Sequence, residues 1–192
     1  DPNAAKELLD SIDYIDRDGD GWREDPDGNK ISLTLSTNSG NSVREAVGEL
    51  FKQEAAGVGI EINFNPVDFN ALVTQLVATY DWEMILIGLT GSVDPISGQN
   101  VYPSSGNLHM IEPNQSAPRR AWEQMVDDAW IEANNTTDEN QRKRGFQKIQ
   151  EAWIEEVPWA YTLNVATMAA VKEEFGNVFP QPINGFELFA QA

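Results

Sequence analysis

An α/β domain with a parallel sheet is the fold class this chain predicts, on three observations. Stretches with a two-residue apolar period alternate with stretches of helical period, and their order is strand, helix, strand, helix, strand. The third strand is almost continuously apolar, as a strand covered on both faces would be. Helical crossovers between successive strands require parallel pairing with right-handed connections, and the apolar third strand is expected at the centre of the sheet.

Asp1-Pro2-Asn3 opens a short helix whose Ala5, Leu8, Leu9 and Ile12 follow helical spacing, with proline tolerated in the first turn. The first strand is Lys30-Ile31-Ser32-Leu33-Thr34-Leu35-Ser36-Thr37, which alternates apolar and polar until Asn38-Ser39-Gly40-Asn41 ends it. Ser42-Val43-Arg44-Glu45 has the form of a capping box, and Val43, Ala46, Val47, Leu50 and Phe51 mark one helical face as far as Gly57 to Gly59. A second strand covers residues 60–67. Asp68 caps a helix bearing Leu72, Val73, Leu76 and Val77, and residues 83–89 form the third strand. Residues 90–117 then read as one long loop rich in Gly, Ser, Pro and Asn, far beyond the usual length of about four to six.

Two further helices follow. One starts near Pro118 and carries Trp122, Met125, Val126, Ala129 and Trp130; the other starts at Asp138 and carries Phe146, Ile149, Ala152 and Trp153. Aromatics at helical spacing are expected to be core rather than a ligand box. Residues 157–163 and 166–171 read as two strands joined near Asn164, with an irregular, proline-punctuated remainder from Phe175. No repeat or low-complexity tract interrupts the chain, so residues 1–192 are taken as one domain.

Composition narrows the function. Hydrophobic residues make up 41% of the chain, including six Trp, eight Phe and four Tyr, which is the make-up of a folded protein. Thirty-one acidic against thirteen basic residues give a formal charge of −18, which repels nucleic acid and anionic lipid and favours cations. The absence of cysteine excludes disulfides, thiolate catalysis and Cys-based zinc sites. The chain starts at Asp1 without a leader, so a processed form or an excised piece is expected.

In an open parallel sheet the ligand crevice lies beyond the carboxyl ends of the strands. That rule selects Thr37-Asn38-Ser39, Val67-Asp68-Phe69 and Thr90-Gly91-Ser92-Val93-Asp94-Pro95. Asp94 is the obvious charge there, suited to an ammonium or guanidinium group, although an Asp-Pro turn alone also accounts for it. His109 is the only histidine, so a triad would have to combine it with Ser104 or Ser105; no nucleophile-elbow spacing supports one. Asp127-Asp128 and Glu155-Glu156 diverge by about 100° on their helices and read as solvated faces.

Residues 16–27 carry the sharpest chemical motif. Counting Asp16 as position 1, carboxylates fall at 1, 3 and 5 (Asp16, Asp18, Asp20), Gly21 takes the tight turn, Trp22 offers its carbonyl at 7, and Asp27 stands at 12. This is the ligand pattern of a calcium loop, with the shorter Asp in place of the usual Glu and with Pro26 excluding a continuous exit helix. A metal-free acidic turn is the alternative. Bound calcium is expected to be structural, because the loop precedes the first strand, at its opposite end from Asn38.

These pieces, in this order, resemble the C-terminal lobe of the family 5 ABC-importer solute-binding proteins, the dipeptide, oligopeptide and nickel type. The resemblance rests on the opening Asp1-Pro2-Asn3-Ala4-Ala5, on Asp18-Gly19-Asp20-Gly21, on Ala56-Gly57-Val58-Gly59-Ile60 and on Pro66-Val67-Asp68-Phe69. It continues through Tyr80-Asp81-Trp82-Glu83-Met84, Asp94-Pro95, residues 142–150 and Glu156-Val157-Pro158-Trp159. It implies a periplasmic-binding-protein-like lobe of the type II class, excised from a two-lobed extracytoplasmic receptor that passes a solute, peptide or another amine-bearing molecule, to a membrane permease. It implies no catalysis. By position, the resemblance implies that Asp94 clasps the solute's amine, the one contact it carries over; Thr37, Asn38, Gly91, Ser92 and Asn100 are expected to line the cleft. The family's frequent Asn-Tyr-Ser-Asn stretch is replaced by residues 100–109, Asn100-Val101-Tyr102-Pro103-Ser104-Ser105-Gly106-Asn107-Leu108-His109. The isolated lobe is expected to be monomeric and to hold solute weakly, since closure of two lobes buries the ligand. A carbohydrate-directed hydrolase and a calcium-stabilised interaction module are the rival functions.

Overall fold

The computed structural model describes residues 1–89, 94–112, 115–164, 170, 172, 174, 178–181 and 185–188. The chain divides into two compact units, Asp1–Gly88 and Leu89–Ala192.

The first unit is the predicted βαβαβ arrangement. Helix α1 (Pro2–Ser11) begins at Asp1, whose carboxylate accepts the amides of Asn3 and Ala4. Strand β1 (Ser32–Asn38), helix α2 (Ser42–Gly57), strand β2 (Glu61–Val67), helix α3 (Phe69–Thr74) and strand β3 (Met84–Ile85) follow. The pairings β1–β2 and β1–β3 are both parallel, with Leu35 opposite Phe64 on one side and Met84 on the other. The sheet order is β2-β1-β3, which corrects one expectation: β1 is central and β3 is a two-residue edge. Leu35, Ser36 and Thr37 of β1 are buried while Met84 and Ile85 are half-exposed, so the alternating strand takes the better-covered place.

Helix α2 is capped one residue earlier than its box predicts. Asn41 accepts the Arg44 amide, and Glu45 reaches back to the amide of Gly40. Gly48 lets α2 approach β2, because a Cβ there would run into the Phe64 ring. Asp68 caps α3 as predicted, accepting the amides of Asn70 and Ala71. A π turn over Gln75–Thr79 prolongs that helix until Tyr80 turns left-handed at φ 57°. Leu35, Ala55 and Ile62 form the buried core, with Leu33, Ile60, Phe64, Met84 and Leu86 packed around it.

In the second unit, Asp94 caps a 3-10 turn over Pro95–Gly98, and turns lead on to α4 (Ala121–Asn134) and α5 (Glu139–Glu156). These helices pack closely at Gly145, where a Cβ would lie 2.8 Å from Ala133 Cβ and 3.1 Å from the Ala129 carbonyl. Val126, Ala129, Ile149, Ala152 and Trp153 are the core, and Trp122, Trp130 and Phe146 pack against it, as their spacing predicts.

The strand expected over residues 157–163 does not form. Val157 is left-handed at φ 45°, ψ 50° before Pro158, and the chain runs on irregularly to Asn164. The strand expected over 166–171 falls almost entirely outside the described residues. Conversely, the remainder from Phe175 is not wholly irregular: β4 (Val178–Gln181) and β5 (Gly185–Leu188) pair as an antiparallel hairpin. Among the described residues, no helix is long and apolar enough to cross a membrane.

Candidate functional site

The carboxyl end of β1 is tightly tied. Thr37 is fully buried and its hydroxyl donates to the Leu86 carbonyl at 2.8 Å, joining β1 to the segment that continues β3. Thr37 therefore spends its hydroxyl on the Leu86 carbonyl rather than presenting it free. Asn38 accepts a hydrogen bond from the Arg44 guanidinium on its Oδ1. The other Arg44 terminal nitrogen lies against Gly88, 2.8 Å from where a Cβ would stand. Arg44, three residues into α2, thus joins the strand ends, a placement hidden while it counted only as part of a capping box.

In the second unit, Asp94 is exposed and ionised. The hydrogen bond from the Ile96 amide, with the Arg142 guanidinium adding to it, holds its carboxyl below the usual range against the opposing effect of desolvation. Its Oδ1 accepts both the Ile96 amide at 3.0 Å and Arg142 Nη2 at 2.6 Å. Asp94 is therefore the cap of its Asp-Pro turn and also the partner of α5. Asn100 is half-buried and lines a cavity of about 780 Å³ together with Tyr102, Trp130, Trp153 and Trp159. No charged side chain lines that cavity among the described residues. Trp130, Phe146 and Trp153 of its wall belong to the sets that spacing assigned to core, so helical period alone did not reveal the space beside them. Gly91 and Ser92 lie outside the described residues.

His109 is 3% exposed and its Nδ1 sits 2.9 Å from the Val101 carbonyl, so it pins its own loop. Ser104 donates its hydroxyl to Asp127 at 2.6 Å and its amide to the same carboxylate at 2.7 Å. Ser104 thus bonds to Asp127 and not to His109, and no triad forms among the described residues. Asp127 is half-buried by this bond, contrary to the solvated face expected of it. Glu123, 1% exposed, accepts the amides of Arg119 and Arg120 and the Arg120 guanidinium. Burial pushes its carboxyl upward, but those donors together hold it below the usual value.

The acidic loop gathers Asp16, Asp18, Asp20 and Glu24, and one carboxylate oxygen from each lies within 4.8 Å of the other three. Asp27 is not in this group, and Glu24, which the twelve-residue count passed over, takes its place. The reason is local: Asp25 accepts the amides of Asp27 and Asn29, so the chain folds into a separate turn before position 12. The Trp22 amide donates to Asp20. Next in sequence, Arg23 is 9% exposed and ties the loop to its surroundings: it reaches Asp10 in α1, the Tyr14 carbonyl after α1 and the Val58 carbonyl after α2.

Comparison with known proteins matches residues 1–108 to the family described as bacterial extracellular solute-binding proteins, family 5, middle part. A probable ABC transporter-binding protein of Deinococcus radiodurans is 30% identical over 98% of this chain and 34% of its own length. The oligopeptide-binding protein AppA of Bacillus subtilis is 28% identical over 82% of this chain and 28% of its length. The structure of AppA in complex with a nonapeptide superposes with a TM-score of 0.69 at 26% identity, covering 81% of this chain and 30% of AppA. The chain spans about a third of the length of these curated relatives.

Proposed function

Because the chain belongs to family 5 of the bacterial extracellular solute-binding proteins, we propose that it forms one lobe of an extracytoplasmic receptor that captures a solute for an ABC permease. Peptide is the solute class favoured by this reading. It is carried by one observation: the family match spans the whole parallel sheet together with the residues that follow its carboxyl edge. Such a lobe binds and releases its solute unchanged. Calorimetry of the complete protein against defined oligopeptides tests the reading. Micromolar or tighter binding is expected, whereas binding of oligosaccharides with no response to any peptide would remove peptide as the solute.

Within this reading Asp94 anchors the solute's amine. Among the described residues both hydrogen bonds to its carboxylate fall on Oδ1, so an ammonium approaching Oδ2 adds to the Arg142 pair without breaking it. Asp94→Ala in the complete protein is expected to weaken peptides with a free N-terminus about tenfold or more and to leave N-acetylated peptides nearly unchanged. Equal losses for both would assign Asp94 to the turn and to α5 alone.

The acidic loop enters the same reading as a structural calcium site. Three exposed aspartates and the buried Glu24 form an all-oxygen donor set of the kind calcium takes. Thermal melts are expected to shift upward by several degrees in millimolar calcium relative to chelator, as a ligand that binds only the native state requires. The shift should vanish in Asp18→Asn/Asp20→Asn. Identical melts in calcium and chelator would leave a metal-free turn.

A further inference from the structure

We propose that Asn135 is the acceptor of an N-linked glycan; the proposal rests on the receptor reading for one thing only, the extracytoplasmic compartment in which such glycans are attached. Asn114, Asn134 and Asn135 each begin a triplet Asn-X-Ser/Thr with no proline at X, the pattern an N-glycosylating transferase requires. Asn114 lies outside the described residues. The other two triplets overlap in Asn134-Asn135-Thr136-Thr137, so the sequence offers two acceptors one residue apart. Their surroundings separate them.

Transfer needs two groups free of other partners, the acceptor Nδ2 and the hydroxyl two residues on. An amide nitrogen is a poor nucleophile because its lone pair is shared with the carbonyl. The side chain must therefore leave the protein surface and enter the enzyme, which reads the hydroxyl through a hydrogen bond. Asn134 meets neither need. It is half-buried, and its Nδ2 donates to the Trp130 carbonyl at 2.8 Å. The hydroxyl of its triplet, on Thr136, donates to Gln141 Oε1 at 2.7 Å and accepts the Asp138 amide at 3.1 Å. Asn135 meets both. It is exposed, and only its backbone amide is engaged, by the Ile131 carbonyl; its side chain makes no hydrogen bond among the described residues. Thr137 is exposed as well, and its hydroxyl has no partner among the described residues. The cause is the shape of the connection between α4 and α5. Asn134 ends α4, Asp138 caps α5 by accepting the Gln141 amide, and Thr136 between them is tied to the start of α5. Residues 135 and 137 on either side of it are left facing solvent, as a surface loop allows.

In the transfer, a bond forms between Nδ2 and the anomeric carbon of an oligosaccharide carried on a lipid pyrophosphate. The anomeric C–O bond breaks, the lipid pyrophosphate leaves with its electron pair, and Nδ2 gives up one proton to a base of the transferase. The test is made on the complete protein isolated from the cells that produce it naturally. Its intact mass is measured, and the tryptic peptide 121–142, which holds both asparagines, is sequenced by mass spectrometry. A sugar mass on Asn135 is expected, lost in Asn135→Gln and in Thr137→Ala, and kept in Thr137→Ser and in Asn134→Gln. Sugar on Asn134 instead would mean that transfer precedes the bonds to Trp130 and Gln141, and would overturn the assignment. A bare Asn135 in protein recovered outside the cytoplasm would overturn the site and leave the receptor reading standing. Bare protein confined to the cytoplasm would overturn both.

Discussion

Glu123→Ala is expected to lower the stability of the chain by about 2–4 kcal/mol, since it removes a helix cap and leaves two backbone donors without their acceptor. Glu123 sits in the first turn of α4 and accepts the amides of Arg119 and Arg120 at 2.8 and 3.0 Å. Its Oε1 also takes Arg120 Nη1 at 2.9 Å and lies 3.7 Å from His109 Nε2. One buried carboxylate therefore holds the start of α4 and neighbours the loop that His109 clamps. Arg120 is 45% exposed in its side chain, so losing its partner leaves a charge that water can solvate, and the cost comes mainly from the amides. Glu123→Gln keeps the shape and one acceptor and is expected to cost less. Because the folded carboxyl titrates below its unfolded value, Glu123 contributes its full stability above the unfolded pKa and loses it as pH falls through the folded one. The difference in urea midpoint between wild type and Glu123→Gln should therefore be constant near neutrality and shrink in acid. A difference that grows below pH 4 would contradict the direction of the shift.

Periodicity and capping made most of the first unit legible. Lys30 to Thr37 alternates cleanly, Asp68 is followed by a helical apolar face, and both signals are local, so no tertiary information was needed to place β1 or α3. Strand order was not local. The apolar run before Gly88 resembles a central strand, yet its place depends on which neighbours cover it, and β1 holds the middle. In the second unit, Val157 shows the same limit from another direction. Its β-branched side chain and the following Pro158 favour an extended backbone, but the end of α5 turns it left-handed. The hairpin of β4 and β5 is four residues a side with a proline in β4, too short and interrupted for a period to register.

Among the candidate site residues, the carboxylates carry sequence motifs and the cations do not. Asp94 and the aspartates at 16, 18 and 20 announce themselves by motif. Glu24, Arg23 and Arg44 carry no motif of their own. Glu24 joins the loop because its backbone pairs with both Ile15 and Lys30, folding the segment back on itself. Arg23 and Arg44 matter through contacts 35 and 6 residues away, with Val58 and Asn38, which only the packing of α2 on the sheet brings together.

Trp153 is the aromatic hub of the second unit, and Trp153→Ala is expected to cost about 3–5 kcal/mol, in the range for emptying a buried aromatic site. The residue is 4% exposed, and its ring meets Tyr102, His109, Trp122 and Trp159 edge-on at centroid distances of 5.2 to 6.2 Å. Each aromatic pair adds roughly 0.5–1.5 kcal/mol to the area term, and four of them lost together push the effect toward the upper end. The void would open into the existing cavity rather than collapse, because Trp153 already forms part of its wall. Trp153→Phe should cost much less than its lost volume suggests. The indole N–H is buried without an acceptor among the described residues, so removing it relieves an unmet donor, roughly 1–3 kcal/mol that offsets part of the packing loss. Urea titrations of the two variants separate these contributions: a large loss for alanine with a small one for phenylalanine is expected. Equal losses would mean that the N–H is satisfied in solution, and a loss below about 1 kcal/mol for alanine would remove Trp153 from the core.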